Sequence, residues 1–291
     1  MKANKDLLIV LVAAAGLAVV AVALAQSDTK PAAEPSVDEI VKRANLVAYY
    51  QGADGRARVK MTIVDQQGRT RQRELTILRW DAPSPEAAKK GFDAKKADQH
   101  AGEQKFYVYF HKPADVDKMA FLVWKHLTKD DDRWLYLPNI DLVKRIAGGE
   151  KRTSFVGSDF FYEDISGRRI DDDTHELIET TDKYYVLKNT PKDPRSVEFS
   201  YYKMWIHKKT FLVVKTVYYD KNDKAYRQYE AKAVKQIQGY YTVVKSRMTA
   251  LLTGRYTDLE YSSVKYDLNL PEDIFTERYL RRPPTKHLQD E

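Results

Sequence analysis

Residues 225–266 read AYRQYEAKAVKQIQGYYTVVKSRMTALLTGRYTDLEYSSVKY, and this stretch decides the fold. It holds three runs rich in aromatic and β-branched residues, at 225–237, 240–252 and 254–266, and the first two are parted by the turn Gln238-Gly239. Runs of that composition between short turns predict strands that pair each with the next, an antiparallel meander. The turn Asp220-Lys221-Asn222-Asp223 joins the first run to another strand at 212–219. Further strands are expected at 105–111, 119–126, 133–137, 175–180, 183–188 and 196–207. Nearer the N-terminus, Val59, Met61 and Ile63 alternate with Arg58, Lys60 and Thr62. The turn Gln66-Gln67-Gly68 then returns the chain as a hairpin partner at 74–80.

About a dozen strands exceed what a flat open sheet tolerates, so the sheet is expected to curl into a barrel or half-barrel. A barrel much above eight strands is not filled by its own side chains and leaves a cavity. One helix precedes the strands. Ser36 with Glu39 matches a capping box, and Ile40, Val41, Ala44, Val47 and Ala48 share one face. That face must be buried on the sheet. Residues 81–104, poor in apolar side chains, are long for a hairpin loop and read as a disordered excursion. Pro271-Glu272-Asp273-Ile274-Phe275 reads as a closing turn, and the tail from Arg281 onward as frayed.

The first residues carry an address. Lys2 and Lys5 precede an apolar run from Leu7 that ends Ala23-Leu24-Ala25. A basic start, an apolar centre and a small-x-small site describe an export signal cut after Ala25. The rival is an uncleaved anchor, because the run approaches bilayer-spanning length. Either way the remainder is expected outside the cytoplasm, in a bacterial periplasm. The expected organisation is a signal at 1–25, a flexible leader at 26–35, one domain at 36–283 and a tail at 284–291. There is no cysteine, which excludes disulfides and a lipid-modified cysteine after the signal. The chain carries 49 Lys+Arg against 42 Asp+Glu. Loss of Lys2, Lys5 and Asp6 with the signal leaves 47 against 41. So mild an excess reads as a solvated surface with weak attraction to anionic membrane faces. Nucleic acid is not expected as a partner of an exported protein.

A search for chemistry finds no catalytic constellation. Histidines at 100, 111, 126, 175, 207 and 287 lack metal-ligand spacing, so neither a metal nor another cofactor is expected. Ser158 lacks the flanking glycines of a nucleophile elbow and reads as a turn residue. Asp159, Glu163 and Asp164 read as a polar loop that caps a helix or pairs with Arg168 and Arg169. The protein is expected not to be an enzyme. What stands out is an aromatic excess between 121 and 162: Phe121, Trp124, Trp134, Tyr136, Phe155, Phe160, Phe161 and Tyr162. These are the expected walls of a cavity for an acyl or polycyclic hydrocarbon.

Several of these residues fall in segments with a family likeness. FLVW (121–124), DRWLYLP (132–138), KRI (144–146), SFVGSDF (154–160) and LPEDIFT (270–276) resemble the outer-membrane lipoprotein-sorting proteins, the LolA/LolB-like periplasmic carriers. The likeness covers about 36–283 and is strongest from 105 to 165. It implies a mainly β protein, an incomplete antiparallel β-barrel with a helical lid over a hydrophobic cavity. It also implies carriage of lipids and a link with RND-type (MMPL-like) inner-membrane transporters. The chain departs from the lipoprotein carriers in its length, in the 81–104 insertion, and in lacking an alignable arginine latch for the lid. The expected function is therefore a carrier taking a lipid or a lipoprotein acyl moiety from an inner-membrane transporter toward the outer membrane. The alternative is a docking module of an envelope transporter that carries no ligand. The expected lid is the 37–50 helix, with 138–150 as a second element.

Overall fold

The computed structural model describes residues 34–90 and 101–289. The expected signal and nearly all of the leader lie outside them, as does the middle of the 81–104 excursion. The folded unit begins at Pro35.

Its frame is one 13-stranded antiparallel sheet. The strands are β1 Asp54–Val64, β2 Thr70–Asp81, β3 Gln104–Lys112, β4 Ala120–Lys125, β5 Asp132–Leu137, β6 Leu142–Arg145 and β7 Asp173–Thr180. They continue as β8 Tyr184–Pro191, β9 Tyr201–His207, β10 Val213–Tyr219, β11 Ala225–Ile237, β12 Tyr240–Ala250 and β13 Arg255–Tyr266. The spatial order is β6-β5-β4-β3-β2-β1-β13-β12-β11-β10-β9-β8-β7. Two meanders, β1–β6 and β7–β13, are thus joined edge to edge where β1 pairs with β13, Met61 opposite Leu259. The sheet does not close: β6 and β7, consecutive in sequence, are its two free edges. This is the expected half-barrel. The expected meander at 225–266 is present strand for strand.

One expectation at the edge is corrected. The 138–150 segment is no lid, because Leu142–Arg145 pairs with β5 and simply extends the sheet. The chain from Ile146 to Asp172 instead runs from one free edge to the other, and we call it the strap. It includes the short helix α3, Tyr162–Ser166.

The sheet has an inner face, toward the strap and the first helix, and an outer face. On the inner face Val59, Met61, Ile63, Leu75, Val108, Phe110 and Phe121 pack against Phe155, Phe160 and Tyr162 of the strap. Helix α1, Val37–Tyr49, starts where Ser36 Oγ accepts from the Glu39 N–H at 3.2 Å, as its sequence predicts. Its buried Ile40, Val41 and Ala44 rest on Tyr185, Leu187, Ile206 and Phe211 at the far end of the inner face. The excursion after β2 opens with the short helix α2, Pro85–Lys90.

The tail is packed, not frayed. Leu270, Ile274, Phe275, Leu280 and Leu288 cover the outer face of the first meander, against Leu78, Tyr107, Leu122 and Trp134. The buried Asp54 carboxylate anchors it by accepting from the N–H groups of Leu268 (2.6 Å) and Leu270 (2.7 Å). Two helical turns, α4 Arg278–Arg281 and α5 Thr285–Leu288, end it.

Candidate functional site

Between the inner face, α1 and the strap lies a cavity of about 410 Å³, within the ordinary range of small-molecule sites. Alternation explains the sheet wall: Val59 and Met61 on β1, Leu75 and Ile77 on β2, Phe106 and Val108 on β3 point the same way. From the second meander come Met248, Leu259, Tyr229 and Tyr261. Helix α1 contributes Val41, Ala44, Val47 and Tyr49, and the strap Phe155, Phe160 and Ile165. The cavity therefore spans the seam between the two meanders.

The strap owes its shape to a tight turn. Val156 (φ 50°) and Gly157 (φ 76°) take left-handed conformations in succession, and the Phe155 N–H donates to the Phe160 carbonyl at 2.8 Å. Such a turn reverses the chain sharply and turns both phenylalanines to the cavity. Arg73 from β2 donates to the Val156 carbonyl. Ser158 behaves as the turn residue its context predicts: its hydroxyl donates to the Phe155 carbonyl at 2.7 Å.

Charged pairs then fix the strap to the sheet. Asp159 accepts from Arg255 (2.9 Å) and from the Thr257 hydroxyl (2.8 Å) on β13. Asp164 pairs with Arg227 on β11 and accepts from the Phe161 N–H. Arg152 bridges Glu163 (3.0 Å) and Glu198 (2.6 Å), and Arg168 grips Asp173 at 2.9 Å. Burial works against the charge of Arg152, but its hydrogen bonds to Glu198 outweigh that and hold its pKa well above the usual value. Ions this deep are retained only with good partners, and breaking one pair would strand its mate. The three carboxylates are thus structural anchors, with Arg152, Arg227 and Arg255 as their main partners.

Helix α1 meets the strap at one point. Gly167 sits at φ 76°, and a Cβ there would lie 2.3 Å from the Tyr49 ring, so only glycine admits the end of α1. Lys125 runs beneath, donating to the Ser166 carbonyl at 2.6 Å with its ammonium 4.8 Å from the Tyr49 ring centre. Burial pushes its pKa down to about 8. The Gln104 side-chain amide donates both to the Tyr49 carbonyl and to Asp81, each at 2.8 Å. Burial pushes the Asp81 carboxyl up to about 7, against the pull of Arg79. Tyr229 on the cavity wall is pushed up to about 12 by burial, so it faces the cavity as a neutral hydroxyl.

The eight aromatics expected to line the cavity separate into four groups. Phe155 and Phe160 do line it. Phe121 and Tyr162 stand behind them, with ring centres 5.3 Å apart, and Phe121 is as close to Phe155. Trp124, Trp134 and Tyr136 lie on the opposite, outer face beneath the tail, where Trp124 Nε1 donates to the Phe275 carbonyl at 2.7 Å. Phe161 is held under the guanidinium groups of Arg227 (4.0 Å) and Arg152 (4.9 Å). Sequence reasoning missed Ile77, Tyr229, Tyr261 and Tyr49. The period-two pattern of their strands, and the apolar face of α1, were the available signals.

A family model described only as "uncharacterized protein" matches residues 102–282. No curated protein matches the chain. Among solved structures, a DUF1329 family protein from Desulfovibrio piger superposes with a TM-score of 0.71 at 28% identity, over 84% of this chain and 98% of its own. An outer membrane lipoprotein-sorting protein domain from Vibrio parahaemolyticus gives 0.71 at 26% identity, over 84% of this chain and 97% of its own. A LolA superfamily protein from Nitrosomonas europaea, at 20% identity and TM-score 0.62 over 84% and 99%, shares the fold. With the family model matching 102–282, the chain belongs to this family of uncharacterized proteins, and it is similar over its whole half-barrel to the DUF1329 protein and to the lipoprotein-sorting domain.

Proposed function

We propose that this protein is a periplasmic carrier whose inner cavity holds a lipid or the acyl moiety of a lipoprotein. The observation that carries the reading is the apolar cavity, walled by α1, the strap and the inner face of the sheet. Burying hydrocarbon there stabilises a complex by about 25 cal/mol per Å² removed from water, with no bond made or broken. Loading from an RND-type inner-membrane transporter and delivery toward the outer membrane complete the proposal, with transient contact at the membrane surface. Residues 1–25 would act as the export signal and 36–283 as the carrier domain. Among the sequence-expected residues, Phe155 and Phe160 would touch cargo. Trp124, Trp134 and Tyr136 would act by supporting the wall from behind.

Native mass spectrometry of the chain purified from its own envelope, followed by lipid extraction, tests the reading. Wild type should carry a lipid or acylated peptide. Ile77→Trp fills the cavity from its half-buried wall and should abolish that mass while leaving the melting transition in place. A clean unliganded mass in wild type, with no uptake from envelope lipids, would replace the carrier by the docking module.

A further inference from the structure

The outer face of the second meander carries a feature that the cavity does not use. Lys188 on β8 and Lys203 on β9 are directly opposed in register, and Lys215 on β10 stands opposite Trp205. Each ammonium lies against an aromatic ring of the same face. Lys188 is 4.7 Å from the centre of Tyr201, Lys203 is 5.2 Å from Tyr219, and Lys215 is 4.9 Å from Trp205. Tyr201 and Tyr219 are themselves stacked, with centres 4.6 Å apart. Among the described residues none of the three lysines has an ion-pair partner; Lys60, Lys235 and Lys265 on other strands lack one too, whereas Lys245 meets Glu260 at 2.7 Å and Lys232 meets Glu230 at 2.8 Å. Glu176 and Glu230 are the register neighbours of Lys188 and Lys215. Glu176 forms no ion pair with Lys188; Glu230 pairs with Lys232 and also attracts Lys215 at longer range.

Like charges directly across a strand pair destabilise a sheet, so the Lys188–Lys203 apposition works against the fold. Rings under the ammoniums hold the charges at the surface without neutralising them. The tail, which covers the outer face of the first meander, lies against Leu78, Tyr107, Leu122 and Trp134 and not against this array. We infer that this face docks on an anionic bilayer surface, with lysines meeting lipid phosphates and Trp205, Tyr201 and Tyr219 at headgroup level. Aromatic rings with one apolar and one polar aspect favour that depth. The inference deepens the carrier reading, and rests on it for a reason to visit a membrane.

The test uses the full chain without added cargo, on vesicles of phosphatidylcholine alone and with phosphatidylglycerol at about one third, a fraction chosen to give a strong surface potential. Wild type should partition preferentially to the anionic vesicles, and high salt should weaken this. Lys188→Gln/Lys203→Gln/Lys215→Gln should lose most of the preference, about a hundredfold, since each lysine contributes several-fold. A matched variant, Lys42→Gln/Lys60→Gln/Lys118→Gln, removes the same charge elsewhere and should keep most of it. Equal loss in both variants would overturn the inference in favour of bulk charge. No loss in the first, or loss only of binding to an acidic polypeptide, would overturn it too. A folded chain that docks normally but never carries lipid would sink the carrier reading alone.

Discussion

The two meanders use the same kind of strand in opposite ways. In β3 and β4 of the first, both faces are buried: Phe110 and Phe121 look inward to the strap, while Tyr107 and Leu122 look outward to the tail, all fully shielded. In the second, the inner face meets α1 and the cavity, but the outer face presents half-buried Tyr201, Trp205 and Tyr219 with their lysines. The difference separates scaffold from surface. A sheet packed on two sides is held by close-packed neighbours and has little freedom to change. A sheet packed on one side can accept a ligand or a partner without disturbing its core.

The largest expected effect lies on the scaffold side. Phe275→Ala empties a fully buried site beneath the tail and should cost about 3–5 kcal/mol. Tyr219→Ala on the open face should cost well under half of that, because its ring keeps solvent contact. Urea unfolding of the two variants measures the contrast, and equal losses would break it. Next comes the anchor of the tail. Asp54→Ala leaves the Leu268 and Leu270 N–H groups without their acceptor and should cost about 2–3 kcal/mol. Faster proteolysis after Leu268 in this variant would sharpen the contrast, since the tail covers only the first meander.

A pH dependence is expected at Asp81, where α1 ends. In the fold its carboxyl keeps its proton up to about 7, whereas in the unfolded chain it ionises near 4. The folded state therefore binds more protons than the unfolded state between those values. Its contribution to stability is fully present below pH 4 and is lost as pH rises through 7. Asp81→Asn should flatten that part of the stability profile, as read from urea midpoints at pH 4.5, 6 and 7.5. An unchanged slope would place the titrating group elsewhere.

The same contrast explains what the sequence could reveal. Where one face is open, as in β9 to β13, alternation and turn residues placed the strands within a few residues. The β4 segment Ala120–Lys125 is buried on both sides, so it is a continuous apolar run with no inward or outward signature. Phe121 and Trp124 look alike in such a run, yet one faces the strap and the other the tail. Strand β6 escaped notice because Leu142-Val143-Lys144-Arg145 is short and mostly exposed. The tail escaped because its apolar residues follow neither helical nor strand spacing; only the sheet beneath it gives them a purpose.

The pairing of β1 with β13 has a consequence in time. Its partners are separated by nearly the whole folded chain, as in Gly55 with Tyr266 or Val64 with Tyr256. Contacts that distant are slow to form, because a long loop must close before they repay its lost entropy. Any process that delivers the chain N-terminus first, synthesis included, can assemble strands 1 to 6 as a local meander. The seam, and with it the cavity that straddles it, cannot form until the last strand has arrived. A chain cut before residue 255 would leave the edge of β1 bare and ready to pair with another molecule. The cavity across the seam is completed only when the last strand has arrived.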